Sequence, residues 1–188
     1  MTATTEHLRP YHYPSVYDAF LNEVAEHELT VLHEDGHYRH LRFQRPGTGM
    51  WHWDLITWPW SLAIRGDIGE GFIFTRELDM LTFFDHGQPA GWINASYWAQ
   101  KLDRGSRSVR EFCRERFAAW LKDEGIDASL AADVESLHEA TEALLDAGHD
   151  WDSDDVQAWE DYEYHFLVAL HAILWGAKRY HAAKAADR

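Results

Sequence analysis

The chain has 188 residues, of which 46% are hydrophobic and 26% are charged, and its formal net charge is −15. This composition excludes an intrinsically disordered protein, and the length is sufficient for one domain with a large hydrophobic core. A membrane protein and a secreted protein are not expected, because no apolar run is long enough to span a bilayer and the first fourteen residues lack the pattern of a signal peptide.

The first predicted elements are a helix and a β-hairpin. Hydrophobic residues recur at every fourth position after Pro14, as on one face of a helix: Val16, Phe20 and Val24. Strand-like segments then flank Asp35-Gly36, a pair that favours a two-residue hairpin turn. This turn would place His33 opposite Tyr38 in the hairpin.

Three further strands and a short helix are predicted next. The strands cover residues 52–57, 62–65 and 71–75. Glycines at both ends of the segment Gly66–Gly69 predict a tight turn with positive φ angles. The helix is predicted over residues 77–85, with Thr75 as its N-cap.

The second half of the chain is predicted to be helical. Residues that favour helix N-termini precede four segments: Asn94 or Ser96, then Ser106 or Ser108, then Ser129, and finally Ser153. Glycines at 105, 125 and 148 would end the first three helices, and the last is expected to run beyond residue 180. We therefore predict a single α+β domain over residues 1–188, with a small antiparallel sheet at about 29–76, an N-terminal helix and a helical region at about 77–185.

Acidic residues are concentrated towards the end of the chain. Residues 1–120 contain 16 acidic and 12 basic residues, whereas residues 121–188 contain 16 acidic and five basic ones, a net charge of −11. Such a surface repels nucleic acid and attracts basic proteins, or it only increases solubility. The candidate partner-binding residues are Asp133, Glu139, Glu142, Asp146, Asp150, Asp152, Asp154 and Asp155.

Histidines near the hairpin turn are candidate metal ligands. His33 and His40 can share one face of the sheet, whereas His37 points to the other face. The spacing matches no HExxH or CxxC motif, so we expect no metal and no other cofactor, with His33 and His40 as weak candidates. His165 and His171, six residues apart in a helical segment, are expected to be core residues with hydrogen-bond partners.

His52, Asp54 and Asp67 are weak candidates for catalytic residues. A carboxylate beside an imidazole is the minimal general acid–base pair. However, the surrounding segment has no nucleophile elbow and no phosphate-binding glycine loop. Arg65 is the obvious ion-pair partner for a buried Asp54. We therefore predict that Asp54 is buried and hydrogen-bonded, and we favour a protein without catalytic activity.

Aromatic and arginine side chains raise the alternative of nucleic-acid binding. Trp51 and Trp53 alternate onto one strand face and are expected to fill the layer between sheet and helices. Four arginines have the spacing of one helical face: Arg104, Arg107, Arg110 and Arg114. We expect them to pair with the protein's own acidic helices, and the alternative is that they bind an acidic partner or phosphates. Direct nucleic-acid binding is not expected, because the chain has no excess of positive charge.

Three segments contain distinctive short sequence motifs: HLRFQRPGTGMWHWDLITWPWSLAIRGDIGEGFIFTRELDMLTFF, INASYWAQKL and HAILWGAKRY. Over roughly residues 38–122 and 160–182 the chain resembles a family of small uncharacterised proteins encoded by bacteriophages, prophages and plasmids. The matching motifs include Trp53-Asp54 and Gly66-Asp67, whereas Trp60 occupies a position where the family usually has Gly. The resemblance implies a viral or mobile-element setting and transfers no activity.

Together these features favour an accessory protein of a phage or mobile element. It would bind and inhibit a host bacterial protein through its acidic surface, as anti-defence or host-takeover proteins of the anti-CRISPR type do, and a basic nucleic-acid-binding protein is one candidate partner. The single cysteine, Cys113, agrees with the reducing cytoplasm of a bacterial cell. One alternative is a small nucleotide-directed or metal-assisted hydrolase that uses His52 and Asp54, and another is a nucleic-acid-binding protein.

Overall fold

A computed structural model describes residues 13–69 and 71–186, and these residues form the predicted α+β architecture. The helices are Pro14–Glu23 (α1), Met80–Phe84 (α2), Ala95–Ala99 (α3), Arg114–Asp123 (α4), Leu137–Asp146 (α5), Ser153–Ala158 (α6) and Tyr164–Ala186 (α7). The strands are Glu28–Asp35 (β1), Tyr38–Gln44 (β2), Trp53–Trp58 (β3), Ser61–Gly66 (β4), Phe72–Thr75 (β5), Arg110–Phe112 (β6) and Glu160–Tyr162 (β7). Within these residues no helix combines the length and the apolar character that crossing a membrane requires.

The described chain divides into two compact units. Residues up to 108 and from 164 onwards form the first, which we call the sheet unit. Residues 109–163 form the second, which we call the acidic unit because it contains 17 acidic and only four basic residues.

The sheet unit is built on a five-stranded antiparallel sheet in the order β1-β2-β3-β4-β5. Leu41, Leu55 and Ile64 lie opposite one another on neighbouring strands and are almost completely buried on one face. Helix α7 packs on this face at Gly176, where an added Cβ would lie 2.9 Å from side-chain atoms of Leu55 and Phe43. The absence of a side chain at Gly176 therefore lets the long apolar helix approach the sheet closely.

The hairpin between β1 and β2 differs from the predicted one by one residue. Asp35 pairs with Tyr38, so the turn consists of Gly36 and His37, and His33 lies opposite His40 rather than Tyr38. Gly36 has a φ of +60°, whereas Asp35 remains in the strand. Glycine at the first turn position supplies the left-handed conformation by itself, so Asp35 does not have to adopt it.

The predicted turn after β4 is confirmed. Gly66 and Gly69 have φ angles of +134° and +110°, in the region that favours glycine. A Cβ at Gly66 would lie 2.3 Å from the carbonyl oxygen of His52, which leaves no room for a side chain. The following helix is shorter than predicted, because Asp79 rather than Thr75 caps it by accepting the backbone N–H groups of Leu81 and Thr82.

The acidic unit has its own small core and a two-stranded sheet that the sequence pattern did not predict. Strands β6 and β7 pair antiparallel, and Phe117, Trp159 and Leu144 are fully buried. The predicted helix from Ser106 or Ser108 to Gly125 and the predicted helix from Ser153 beyond Tyr180 are therefore wrong, since β6 and β7 interrupt them.

The helix caps and the arginine row of the acidic unit also differ from prediction. Ser136 rather than Ser129 begins α5, with Glu139 in a capping box. Arg110 lies in β6 and Arg114 in α4, so the four arginines do not share one helical face.

Candidate functional site

Asp54 lies on the sheet face opposite α7 and is only 3% exposed. Arg42 Nε and Nη2 donate to its two carboxylate oxygens at 2.7 and 2.9 Å, and His40 Nε2 lies 3.1 Å from Oδ2. The prediction that Asp54 is buried and hydrogen-bonded is confirmed. The predicted partner was wrong: Arg65 also lies opposite Asp54, on β4, but it is exposed and the carboxylate is bound from the β2 side.

The surroundings of Asp54 keep it ionised. Burial alone would raise the pKa of this carboxyl group, but Arg42 and His40 outweigh burial and hold the pKa below its ordinary value. Both oxygens are already engaged by positively polarised groups. Asp54 is therefore poorly suited to accept a proton from a substrate and well suited to join strands β2 and β3.

His52 is oriented by Asp67 rather than by Asp54. Its Nδ1 atom lies 3.1 Å from Asp67 Oδ2 and 2.9 Å from the carbonyl oxygen of Gly49, and the Asp67 N–H donates to the His52 carbonyl at 2.8 Å. Both side chains are partly exposed. The structure thus brings together His52 and Asp67, two of the three catalytic candidates. Their contacts join the residue before β3 to the turn after β4.

The histidines proposed as weak metal ligands lie opposite each other on β1 and β2. His40 faces Asp54 at 3.1 Å, and His33 is exposed. In the described parts of the chain, no group of three or more His, Cys, Asp or Glu side chains is arranged to hold a metal ion.

Three of the eight candidate partner-binding acids hold the N-termini of helices. Glu139 accepts the backbone N–H groups of Glu135 and Ser136, and Asp152 accepts those of Asp154 and Asp155. Asp155 closes a second capping box and also accepts the indole N–H of Trp120 at 3.0 Å. The backbone hydrogen bond from Glu135 is the largest of the effects that lower the pKa of Glu139. These carboxylates are fixed in position by the fold.

The other five candidate acids are exposed, and two of them have long contacts within the unit: Glu142 lies 3.5 Å from His138, and Asp154 accepts from Gln157 at 3.5 Å. The remaining three are Asp133, Asp146 and Asp150. Three of the four basic residues of this unit have internal partners. Arg110 binds the hydroxyl group of Tyr162, Arg114 binds the Val134 carbonyl and Glu135, and Arg116 pairs with Asp161 at 2.9 Å. With 17 acidic and four basic residues, the unit has a formal net charge of −13.

Tryptophans 51 and 53 do not fill the same layer. Trp53 is fully buried and stacks on Phe43 and His27, with ring centroids 5.2 and 5.1 Å apart. Trp51 is 49% exposed and has a φ of +58°, and Trp60 is 56% exposed with a φ of +74°. The predicted burial is therefore confirmed for Trp53 and wrong for Trp51.

Sequence reasoning missed a pocket between α1 and α7 that contains His171. This histidine is buried as predicted, but neither ring nitrogen has a hydrogen-bond partner in the structure. His165 is exposed rather than buried. The sequence signal was the spacing of His171, Trp175 and Arg179, which places all three on one side of the same helix.

Comparisons of the chain with protein-family models, with curated proteins and with solved structures found no match.

Proposed function

We propose that the protein is an accessory protein of a phage or mobile element that binds a basic surface of a host bacterial protein and blocks it. The acidic unit is the proposed binding surface, and the cytoplasm of the bacterial cell is the proposed location. The observation that carries this proposal is the formal charge of −13 on residues 109–163, where three of the four basic side chains are engaged within the unit.

The arrangement of the carboxylates suits recognition of a basic protein. Glu139, Asp152 and Asp155 are fixed by capping hydrogen bonds, so part of the negative surface is organised before a partner arrives. The side chains of Asp133, Asp146 and Asp150 are exposed and make no hydrogen bond or ion pair within the described part of the chain. Unpaired exposed charges of one sign accelerate the association of an oppositely charged partner.

A groove that normally holds nucleic acid is the proposed target surface. Such grooves carry lysine and arginine side chains that neutralise phosphates. Carboxylates held in position by helix caps can pair with the same lysine and arginine side chains. The negative charge of this unit repels nucleic acid itself. Binding would therefore exclude nucleic acid from the groove without any chemical step.

Affinity capture from a bacterial host lysate, followed by mass spectrometry, tests this proposal. The parent chain is compared with a variant in which five exposed acids of the acidic unit are changed to Asn or Gln: Asp133, Glu142, Asp146, Asp150 and Asp154. A matched control changes five exposed acids of the sheet unit, so that both variants have the same net charge: Asp18, Glu23, Glu28, Asp35 and Glu77.

The proposal predicts a captured protein that is retained by the parent and by the control and is lost with the acidic-unit variant. Double-stranded DNA added to the lysate should displace this protein. Equal capture by the two variants would show that binding follows total charge or another surface, and it would contradict the proposal.

A further inference from the structure

An open pocket with a volume of about 400 Å³ lies in the sheet unit, between α1 and α7. Tyr17 and Gly91 form one side of it, and residues of α7 form the other. A Cβ at Gly91 would lie 2.5 Å from the Tyr17 ring, so the ring is held against bare backbone. The volume falls in the range of small-molecule binding sites.

One end of the pocket contains an unpartnered polar group. His171 is 1% exposed, its ring lies 5.0 Å from that of Tyr17, and neither of its nitrogens has a hydrogen-bond partner. Buried polar groups are rarely left unpaired in folded proteins. Burial also lowers the pKa of His171 to about 4, so the ring is neutral at pH 7 and offers one donor and one acceptor.

Positive charge lies at the other end. The Arg179 guanidinium is stacked 3.8 Å above the Trp175 ring and has no carboxylate partner in the described part of the chain. Its neighbour Lys178 is already paired with Asp85 at 2.8 Å. A stacked guanidinium keeps its N–H groups at the edge of the ring, where they can bind a carboxylate.

We propose that this pocket binds an elongated aromatic carboxylate, with a polar group of the ligand at His171 and the carboxylate at Arg179. The two residues are eight positions apart on α7, and their Cα atoms are therefore about 12 Å apart along the helix axis. Long helical side chains point back towards the N-terminus, so the Arg179 guanidinium can reach towards His171. The distance between the two binding groups is then shorter than the Cα distance and matches a ligand with two fused rings. The site lies in the sheet unit and does not depend on the function proposed for the acidic unit.

Isothermal titration calorimetry at pH 7 with three matched probes tests the proposal. The first probe, 6-hydroxy-2-naphthoate, carries both groups, 2-naphthoate lacks the hydroxyl group, and 6-(hydroxymethyl)-2-naphthol lacks the carboxylate. The variants are His171→Phe, which removes the ring nitrogens at similar size, and Arg179→Gln. Arg65→Gln is the control, because Arg65 is an exposed arginine of the same unit outside the pocket.

The parent and the Arg65→Gln control should bind 6-hydroxy-2-naphthoate with one site per chain, and Arg179→Gln should weaken this binding about tenfold. Loss of the hydroxyl group should weaken binding to the parent by a similar factor and leave binding to His171→Phe unchanged. Absence of saturable binding to the parent would overturn the proposal, and so would equal losses in Arg179→Gln and Arg65→Gln. An equal effect of the hydroxyl group in parent and His171→Phe would show that His171 does not contact the ligand and would also overturn it.

Discussion

Replacing Gly66 by alanine should destabilise the protein far more than the same change at Gly36. Gly66 is the last residue of β4 before a turn, Gly36 lies in the β1–β2 turn, and their φ angles are +134° and +60°. At Gly36 an added Cβ meets no atom within 4 Å, so only the left-handed conformation is penalised, by about 1 kcal/mol. At Gly66 the φ angle lies in a region used almost only by glycine, which adds about 1–3 kcal/mol of strain.

Steric contact adds to the strain at Gly66. The new Cβ would lie 2.3 Å from the His52 carbonyl oxygen and 2.6 Å from Trp53 Cα. Both are backbone atoms beside the β3–β4 ladder, and they cannot move away without disturbing the pairing of Trp53 with Gly66. We therefore expect a total loss of about 3–5 kcal/mol in the free energy of unfolding, a size typical of severe single substitutions.

Urea denaturation monitored by tryptophan fluorescence, together with thermal melting, measures the two losses. One kcal/mol corresponds to about 2–4 °C for a chain of this length. Gly36→Ala should therefore melt about 2–4 °C below the parent, and Gly66→Ala about 6–20 °C below it. Similar melting temperatures for the two variants would refute the geometry assigned to the Gly66–Gly69 turn.

Three further changes test individual contacts. Arg42→Gln should reduce the free energy of unfolding by about 3 kcal/mol, because it leaves the Asp54 carboxylate buried without its main partner. Arg65→Gln should change the free energy of unfolding by less than about 0.5 kcal/mol. Equal losses for the two variants in urea denaturation would show that Arg65 contributes as much as Arg42. Between pH 7 and pH 4 the parent should lose about 3 kcal/mol more of its free energy of unfolding than His171→Phe does. The reason is that the unfolded histidine takes up a proton below its ordinary pKa of 6.5, whereas the folded one does so only near a pKa of about 4. Equal losses for the two proteins in urea denaturation at the two pH values would contradict this. Trp60→Gly should raise the free energy of unfolding by about 1 kcal/mol, because it relieves the φ of +74°, and a lower melting temperature would show instead that the half-exposed ring stabilises the fold.

The elements that the sequence predicted well are those with strong local signals. Hydrophobic spacing located α1, with Val16 and Phe20 buried, and the bracketing glycines located the Gly66–Gly69 turn. Asn94 caps α3 as its position before that helix suggested. In each case the deciding interaction lies within a few residues of the chain.

The elements that were missed depend on contacts between distant residues. Strand β6 forms because its backbone pairs with β7, about 50 residues later in the chain, although both segments have the composition of helices. Arg42 rather than Arg65 binds Asp54. Both arginines lie opposite Asp54 on neighbouring strands, so residue spacing along the chain does not decide which of them forms the ion pair. The pairing of His52 with Asp67 likewise depends on β3 and β4 lying side by side.

The proposed sites were predictable to different degrees. The charge of the acidic unit is visible in the sequence, but the capping roles of Glu139, Asp152 and Asp155 follow only from the helix boundaries. The shared helix side of His171, Trp175 and Arg179 is visible in the sequence, but the pocket also needs Tyr17 and Gly91, which are distant in the chain and meet these residues only in the fold. The description of residues 1–188 as one domain and the resemblance to phage-encoded proteins remain predictions.

Stopped-flow association kinetics with the captured host protein test the central proposal most directly. The parent, the acidic-unit variant and the matched sheet-unit control are compared at low salt and at about 0.5 M salt, where charges are screened beyond a few ångströms. We predict that at low salt the acidic-unit variant associates at least about tenfold more slowly than the parent and the control. High salt should remove most of this difference in association rate. All three proteins should melt at similar temperatures. If the acidic-unit variant associates as fast as the parent at low salt, the acidic unit does not recognise the partner and the proposed function is contradicted.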